Sequence, residues 1–191
     1  MKRGGFPGRR MRRLRRSEGV RSLVREVVLC ANDLVGVLFV KQGLSTKVPI
    51  ASMPGVFQVS PDLAVAEAAS FWELGIPAVM VFGIPEHKDA VGSSASAPDG
   101  VVQQAVRKIK QALPDLTVMA DLCFCEYTEH GHCGVIKETA SHGPDLCNDG
   151  TLELLGQQAV SLAEAGVDVL APSGSLDGMV QTVRQSLDAG G

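Results

Sequence analysis

The chain has 191 residues, an apolar fraction of 45% and a formal net charge of −3, enough to bury one core of ordinary globular composition. No apolar run reaches the ~18 residues a membrane helix needs, so neither a transmembrane segment nor a membrane partner is expected. Five cysteines, an odd number with three in one short stretch, fit a metal site in a reducing compartment better than a disulfide framework.

The charge is unevenly placed. Ten of the 18 basic side chains lie in residues 1 to 25, from Lys2, Arg3, Arg9 and Arg10 to Arg21 and Arg25, against one acid, Glu18. This basic arm, residues 1 to 30, precedes an acidic body, residues 31 to 191. Such an arm can wrap an acidic neighbouring subunit or serve as a transit peptide. No aromatic side chain stands among Arg9 to Arg25, which argues against nucleic acid as the partner.

Leu34 to Val40 reads as a buried strand, and Ser52-Met53-Pro54-Gly55 as a turn in the polar loop after it. Ser60 before Pro61 predicts an N-cap and a helix to about Leu74, stopped by Gly75. Ile76 to Phe82 is a second strand, and Gly83 to Pro98 a long loop. Asp99 is expected to cap a helix running to about Leu113. Leu116 to Leu122 is a third strand. After a loop holding the cysteines, Asp149 to Ala165 is a third helix, Val167 to Ala171 a fourth strand, and Leu176 to Ala189 a fourth helix.

The fold class is therefore α/β, with strand and helix alternating about four times. Strands apolar on both faces fit a parallel sheet under helices. Long loops follow the strands, as in a (β/α)₈ barrel, where chemistry sits in the βα loops. Four units make half a barrel: a fragment, a duplicated half that pairs with itself, or an open flavodoxin-type sheet.

The chemistry concentrates in Asp121 to Gly134, DLCFCEYTEHGHCG. Cys123, Cys125 and Cys133 are three soft ligands suited to Zn²⁺, and Gly131 and Gly134 let the chain turn back to deliver the third. Three protein ligands leave an open catalytic position. A fourth from His130, His132 or Cys147 would instead close a structural site, and three free buried thiols are the remaining alternative. Asp121, at a strand end, could act as acid, base or substrate orienter, or only cap the loop. Ser173 could bond substrate or cap the next helix. Lys41, ending the first strand, reads as a solvated lysine rather than a Schiff-base former.

Together these segments resemble the porphobilinogen synthase (5-aminolevulinate dehydratase) family over nearly the whole chain. The resemblance rests on RRMRRLRR with LVRE, PIASMPGV, LGIPAVMVFGIP, the run from Pro98 to Gly134, and NDGTLELLGQQAVSLAEAGVDVLAPS; the cysteine pattern resembles the zinc-dependent branch.

The resemblance implies the N-terminal half of a (β/α)₈ TIM barrel behind an extended basic arm. It implies condensation of two 5-aminolevulinate molecules to porphobilinogen with loss of water, a step of heme and tetrapyrrole synthesis. It also implies a cytoplasmic homo-octamer assembled through the arm. Cys123, Cys125 and Cys133 would hold a catalytic Zn²⁺, His132 matches a further metal position of some members, and Asp121 and Ser173 line the substrate pocket. Mg²⁺ is a second cofactor to consider. Two departures stand out. None of Lys41, Lys47, Lys88, Lys108, Lys110 or Lys137 matches a Schiff-base motif, and the family's A-P-S-D-M-M-D-G-R reads APSGSLDGMV, with Gly174 and Met179 replacing an aspartate and an arginine. The chain alone is then expected to bind zinc without dehydratase activity. The alternatives are a zinc-binding interaction subunit, a degenerate family member or a structural zinc module.

Overall fold

A computed structural model of the chain describes residues 11–139 and 143–191. Lys2, Arg3, Arg9 and Arg10 of the expected arm lie outside the described residues. The chain divides into two compact units, Met1–Cys30 and Ala31–Gly191. In the first, a 3₁₀ turn at Met11–Arg15 precedes α1 (Glu18–Leu23), whose N-cap Ser17 accepts the Val20 amide at 3.3 Å. Neither of these elements buries a residue.

The second unit contains β1 (Val35–Lys41), β2 (Lys47–Pro49), β3 (Phe57–Val59), α2 (Pro61–Glu73), β4 (Ala78–Ile84), α3 (Val101–Ala112), β5 (Thr117–Leu122), β6 (Ile136–Thr139), β7 (Gly143–Leu146), α4 (Asn148–Glu164), β8 (Val169–Pro172) and α5 (Met179–Gly190). Six strands form one sheet in the order β2-β3-β1-β4-β5-β8. All pairings in it are parallel except β2 with β3. The four main βα repeats thus stand where the apolar runs placed them. The two hairpins, β2–β3 and β6–β7, are additions to the expected loops.

Helices pack on one face of the sheet. A Cβ on Gly36 of β1 would lie 2.6 Å from the Phe71 ring of α2, and one on Gly83 of β4 would lie 2.6 Å from Val102 of α3. The residues alternating with these glycines, Leu38, Val40, Val79 and Val81, are buried, as are Val118, Ala120 and Leu122 of β5. They meet Ala64, Ala68, Ala105, Val106, Ile109, Leu155 and Leu162 from the helices in one core. The opposite face carries Val35, Val37 and Val169, each 42% exposed, with Phe39 stacked on Phe82 at 5.5 Å between centroids. The strands are apolar on both faces, as expected, but helices cover only one, which excludes the flavodoxin alternative with its helices on both faces. One-sided cover is the arrangement of a barrel wall, with helices outside and apolar side chains turned toward the axis.

The returns from helix to strand are tight. Gly75 and Gly166 take positive φ, 79° and 102°, and end α2 and α4. Lys110 of α3 bonds the carbonyls of Pro114 and Leu116 and the Asp168 carboxylate at 3.0 Å, while Asp168 accepts the Val118 amide at 2.8 Å. This brace fixes the entry of β8 beside β5.

Three terminal details differ from expectation. Gly100, not Asp99, occupies the α3 N-cap. Ser60 does sit at the α2 N-cap with Pro61 behind it, but its hydroxyl accepts the Thr46 amide at 2.9 Å instead of capping the helix. α5 starts three residues later than expected, because Gly178 at φ 82° breaks the chain there, and buried Leu176 becomes an anchor ahead of the helix.

Candidate metal centre

The cysteine loop leaves β5 at its C-terminal end. Alternation along β5 turns Leu122 toward the helices and Asp121 to the opposite face, where its register partner is Ala171 of β8. The strand ladder ends with the Ser173 amide donating to Leu122 O at 3.1 Å. The chain then turns sharply, with the amides of Tyr127 and Thr128 both donating to Phe124 O at 2.8 Å. Phe124 and Tyr127 are buried and anchor this turn in the core.

The turn brings the sulfurs together. Cys123 Sγ lies 3.4 Å from Cys125 Sγ, and the ligand atoms of Cys123, Cys125 and Cys133 all lie within 4.8 Å of one another. Cys133 returns through Gly131, at φ 73°. Two threonines hold it from either side: Thr128 donates to His132 O at 2.8 Å, and Thr151 of α4 accepts the Val135 amide at 3.0 Å. Asp121, Cys123 and Glu126 form a second group within the same spacing.

Burial sets the electrostatics here. Burial first, then the Glu126 charge, pushes the Asp121 carboxyl up to about 6. Burial is also the leading cause that pushes the Cys123 thiol up to about 11 and raises Cys125, to which Glu126 adds. The metal-free Cys123 and Cys125 thiols therefore hold their protons near neutral pH, and a metal must displace them. Tyr127 is raised by burial and then by the charges of Glu126, Asp121 and Cys123.

The remaining sequence candidates are not gathered at the sulfurs. His132 is exposed, and its amide donates to His130 Nδ1 at 3.2 Å. A His130 ring nitrogen lies 3.1 Å from Ala90 O. Cys147 is the N-cap of α4. Among the described residues, none of the three belongs to a metal-sized group with the cysteines. Ser173 is exposed and caps no helix, since α5 begins at Met179. Gly174 comes close to the site: a Cβ there would lie 3.9 Å from Cys133 Cβ and 3.7 Å from Met179 Sδ. Lys41 lines a cavity of about 510 Å³ with Gln42, Gly43, Ile84, Pro85 and Glu86 at the ends of β1 and β4.

Sequence reading missed Glu126, Thr128, Thr151 and Asp89. Asp89 joins the loop after β4 to the cysteine loop: its amide donates to Tyr127 O at 3.3 Å and its carbonyl accepts the Glu129 amide at 3.0 Å. Its carboxylate accepts the Val91 and Ser93 amides at 2.9 and 3.1 Å and the Ser93 hydroxyl. The Ser93 hydroxyl first, then these amides, hold that carboxyl below its ordinary value. A folded value below the unfolded one stabilises the joined loops above about pH 3.9, and the contribution vanishes as pH falls through the folded value. Hydrogen exchange at the Val91 and Ser93 amides is therefore expected to lose protection on acidification, and an Asp89→Asn chain to lose the pH dependence.

Gly134 has a steric role. A Cβ there would stand 2.9 Å from Thr151 Cβ and closer to its Oγ1, and Thr151 is fully buried and bonded to Cys147 O at 2.7 Å. Gly134→Ala is expected to cost about 1–3 kcal/mol by overpacking and to weaken metal binding by displacing Cys133. Urea denaturation and a zinc titration check the two effects.

The family model described as delta-aminolevulinic acid dehydratase matches residues 8–191. The chain belongs to the delta-aminolevulinic acid dehydratase family. Curated members of the family include proteins of Halalkalibacterium halodurans, 48% identical over 96% of this chain and 54% of that protein, and Synechocystis, 50% identical over 96% and 56%. A Helicobacter pylori member is 50% identical over 96% and 55%. The crystal structure of the Toxoplasma gondii family member, in complex with the reaction product porphobilinogen, superposes with a TM-score of 0.86 at 35% identity, covering 95% of this chain and 51% of that one. The chain thus spans about half the length of the relatives it matches, and its fold is the N-terminal half of their TIM barrel.

Proposed function

We propose that the chain provides the Zn²⁺-binding half of a porphobilinogen synthase, which condenses two 5-aminolevulinate molecules to porphobilinogen in tetrapyrrole synthesis. The observation that carries the reading is the convergence of three sulfurs at a barrel-mouth loop. Tetrahedral zinc with Zn–S bonds near 2.3 Å needs sulfurs roughly 3.8 Å apart, and Cys123, Cys125 and Cys133, within 4.8 Å of one another, fit that need. An all-sulfur set favours zinc over magnesium, leaving any Mg²⁺ to another site; among the described residues, His132 belongs to no metal-sized group with the sulfurs. When bound, zinc would act as a Lewis acid or hold an amine or hydroxide at its open position.

The chain's own groups would act around it. Asp121, whose carboxyl is raised in the metal-free chain by burial and then by the Glu126 charge, stands beside the sulfurs as a candidate acid, base or substrate orienter. Ser173, at the end of β8, offers a hydroxyl on the same rim. Gly174 leaves open the space beside Cys133 that the family's aspartate side chain would occupy. None of the chain's lysines stands in a Schiff-base motif, so by itself it binds zinc without turnover. A homo-oligomer built through the arm is supported by its exposed Leu23 and Leu29, 87% and 77% accessible. A cytoplasmic location is supported by the clustered free thiols.

The test is turnover of 5-aminolevulinate by the purified chain beside an anaerobic zinc titration. Zinc binding without porphobilinogen is the expected result; turnover would overturn the inactivity, and absence of binding would overturn the metal site. A second reading, a zinc-binding subunit that docks on a partner, is favoured by the open sheet face, and light scattering with and without a full-length family member separates the two.

A further inference from the structure

Two glutamines are buried to 1% exposure in the helical layer, Gln103 of α3 and Gln158 of α4. Gln103 has an evident structural role. Its amide donates to Ala95 O at 3.0 Å and lies 3.1 Å from Ser161 Oγ, tying the loop before α3 to α4. Gln158 is different. Its Nε2 donates to Cys123 O at 3.2 Å, and its Oε1 is buried without a hydrogen-bond partner. A buried unpaired carbonyl costs stability. Packing alone would be served better by an apolar side chain of the same size.

The place of that bond explains its retention. The β5–β8 ladder stops at Leu122 O, taken by the Ser173 amide, and the turn begins at Phe124 O, taken by Tyr127 and Thr128. Cys123 O falls between the two and is taken by Gln158. The peptide joining Cys123 to Phe124 is thus the joint between strand and turn, and its orientation aims both Cys123 and Cys125.

We propose that Gln158 is a positioning residue of the metal centre, which orients Cys123 through its backbone and so sets metal affinity from α4. The inference rests on the three-thiolate reading above. Outer partners that fix the orientation of ligands commonly change affinity by about 10- to 100-fold when removed.

The experiment compares the parent chain with Gln158→Met, Gln158→Glu and Gln103→Met, all reduced and anaerobic. Zn²⁺ affinity is measured by chelator competition, Co²⁺ loading by the intensity of its thiolate charge-transfer and tetrahedral d–d bands, and metal-free stability by thermal unfolding. Gln158→Met trades one unpaired carbonyl for another, so its metal-free midpoint stays near the parent's while zinc affinity falls about 10- to 100-fold and the Co²⁺ bands weaken. Gln158→Glu, protonated in its buried site, can donate to the same carbonyl and regains part of the affinity, which keeps the proposal testable if the methionine chain does not fold. Gln103→Met lowers the midpoint and leaves affinity at the parent value. Parent-like affinity in both Gln158 variants overturns the proposal, as does a parallel fall of midpoint and affinity matching that of Gln103→Met. A parent chain that binds neither metal instead removes the three-thiolate reading.

Discussion

A Cys123→Ser chain is expected to bind Zn²⁺ about 100-fold more weakly than the parent. Apparent binding energies of roughly 10–16 kcal/mol for thiolate-rich zinc sites, shared over about four ligands, assign roughly 3 kcal/mol to each, and 1.4 kcal/mol is tenfold. Cys123 is the most buried of the three sulfurs, at 1% exposure, and belongs to both metal-sized groups. A serine hydroxyl there is a harder ligand and far more reluctant to lose its proton. Cys133→Ser is expected to lose less, since its side chain is only half-buried and water can enter the vacated position. Competition with a chromophoric chelator measures both losses, and equal affinity in parent and Cys123→Ser would remove the sulfur from the site.

The largest expected change in stability follows from Ile109→Ala, at about 2–5 kcal/mol for a buried aliphatic truncation. Ile109 is fully buried on α3, on the face that also carries Val102, Ala105 and Val106. α3 packs against α2 on one side and against β1 and β4 beneath, so the void has walls from a neighbouring helix and from the sheet and little means of closing. Near 2–4 °C per kcal/mol for a chain of this size, the melting midpoint should fall by roughly 4–20 °C. Lys108→Ala, one residue away on the exposed face, should stay within about 0.5 kcal/mol of the parent. Equal midpoints for the two chains would contradict the placement of α3.

Apolar runs and glycine stops made the four βα repeats legible, because a run such as Val79–Val81 or Val118–Ala120 has one physical use, a sheet under helices. The short pairs were not legible. β2 reads Lys-Val-Pro and β7 reads Gly-Pro-Asp-Leu, sequences that resemble loops and become strands only because a partner strand is brought alongside. The start of α5 was misplaced because Leu176 matches helical spacing, and only the positive φ of Gly178 separates it from the helix. In the site, the three cysteines were visible by their chemistry, and Asp121 and Ser173 by their strand ends. The residues that hold the cysteines in place were not. Gln158 lies 35 positions from Cys123, and Thr151 bonds an amide 16 positions away. Nothing in a polar residue on a helix announces which distant backbone group it will meet.

The bare face of the sheet governs how the protein behaves as a solute. Val35, Val37 and Val169 lie open over a strip whose counterpart in a closed barrel would be dry. Only a net charge of −3 and an isoelectric point near 5.8 oppose contact between molecules. A drop toward pH 6 weakens that repulsion while leaving the oily strip as attractive as before. Mildly alkaline buffer, which raises the net negative charge, is therefore the condition that best opposes contact through the strip.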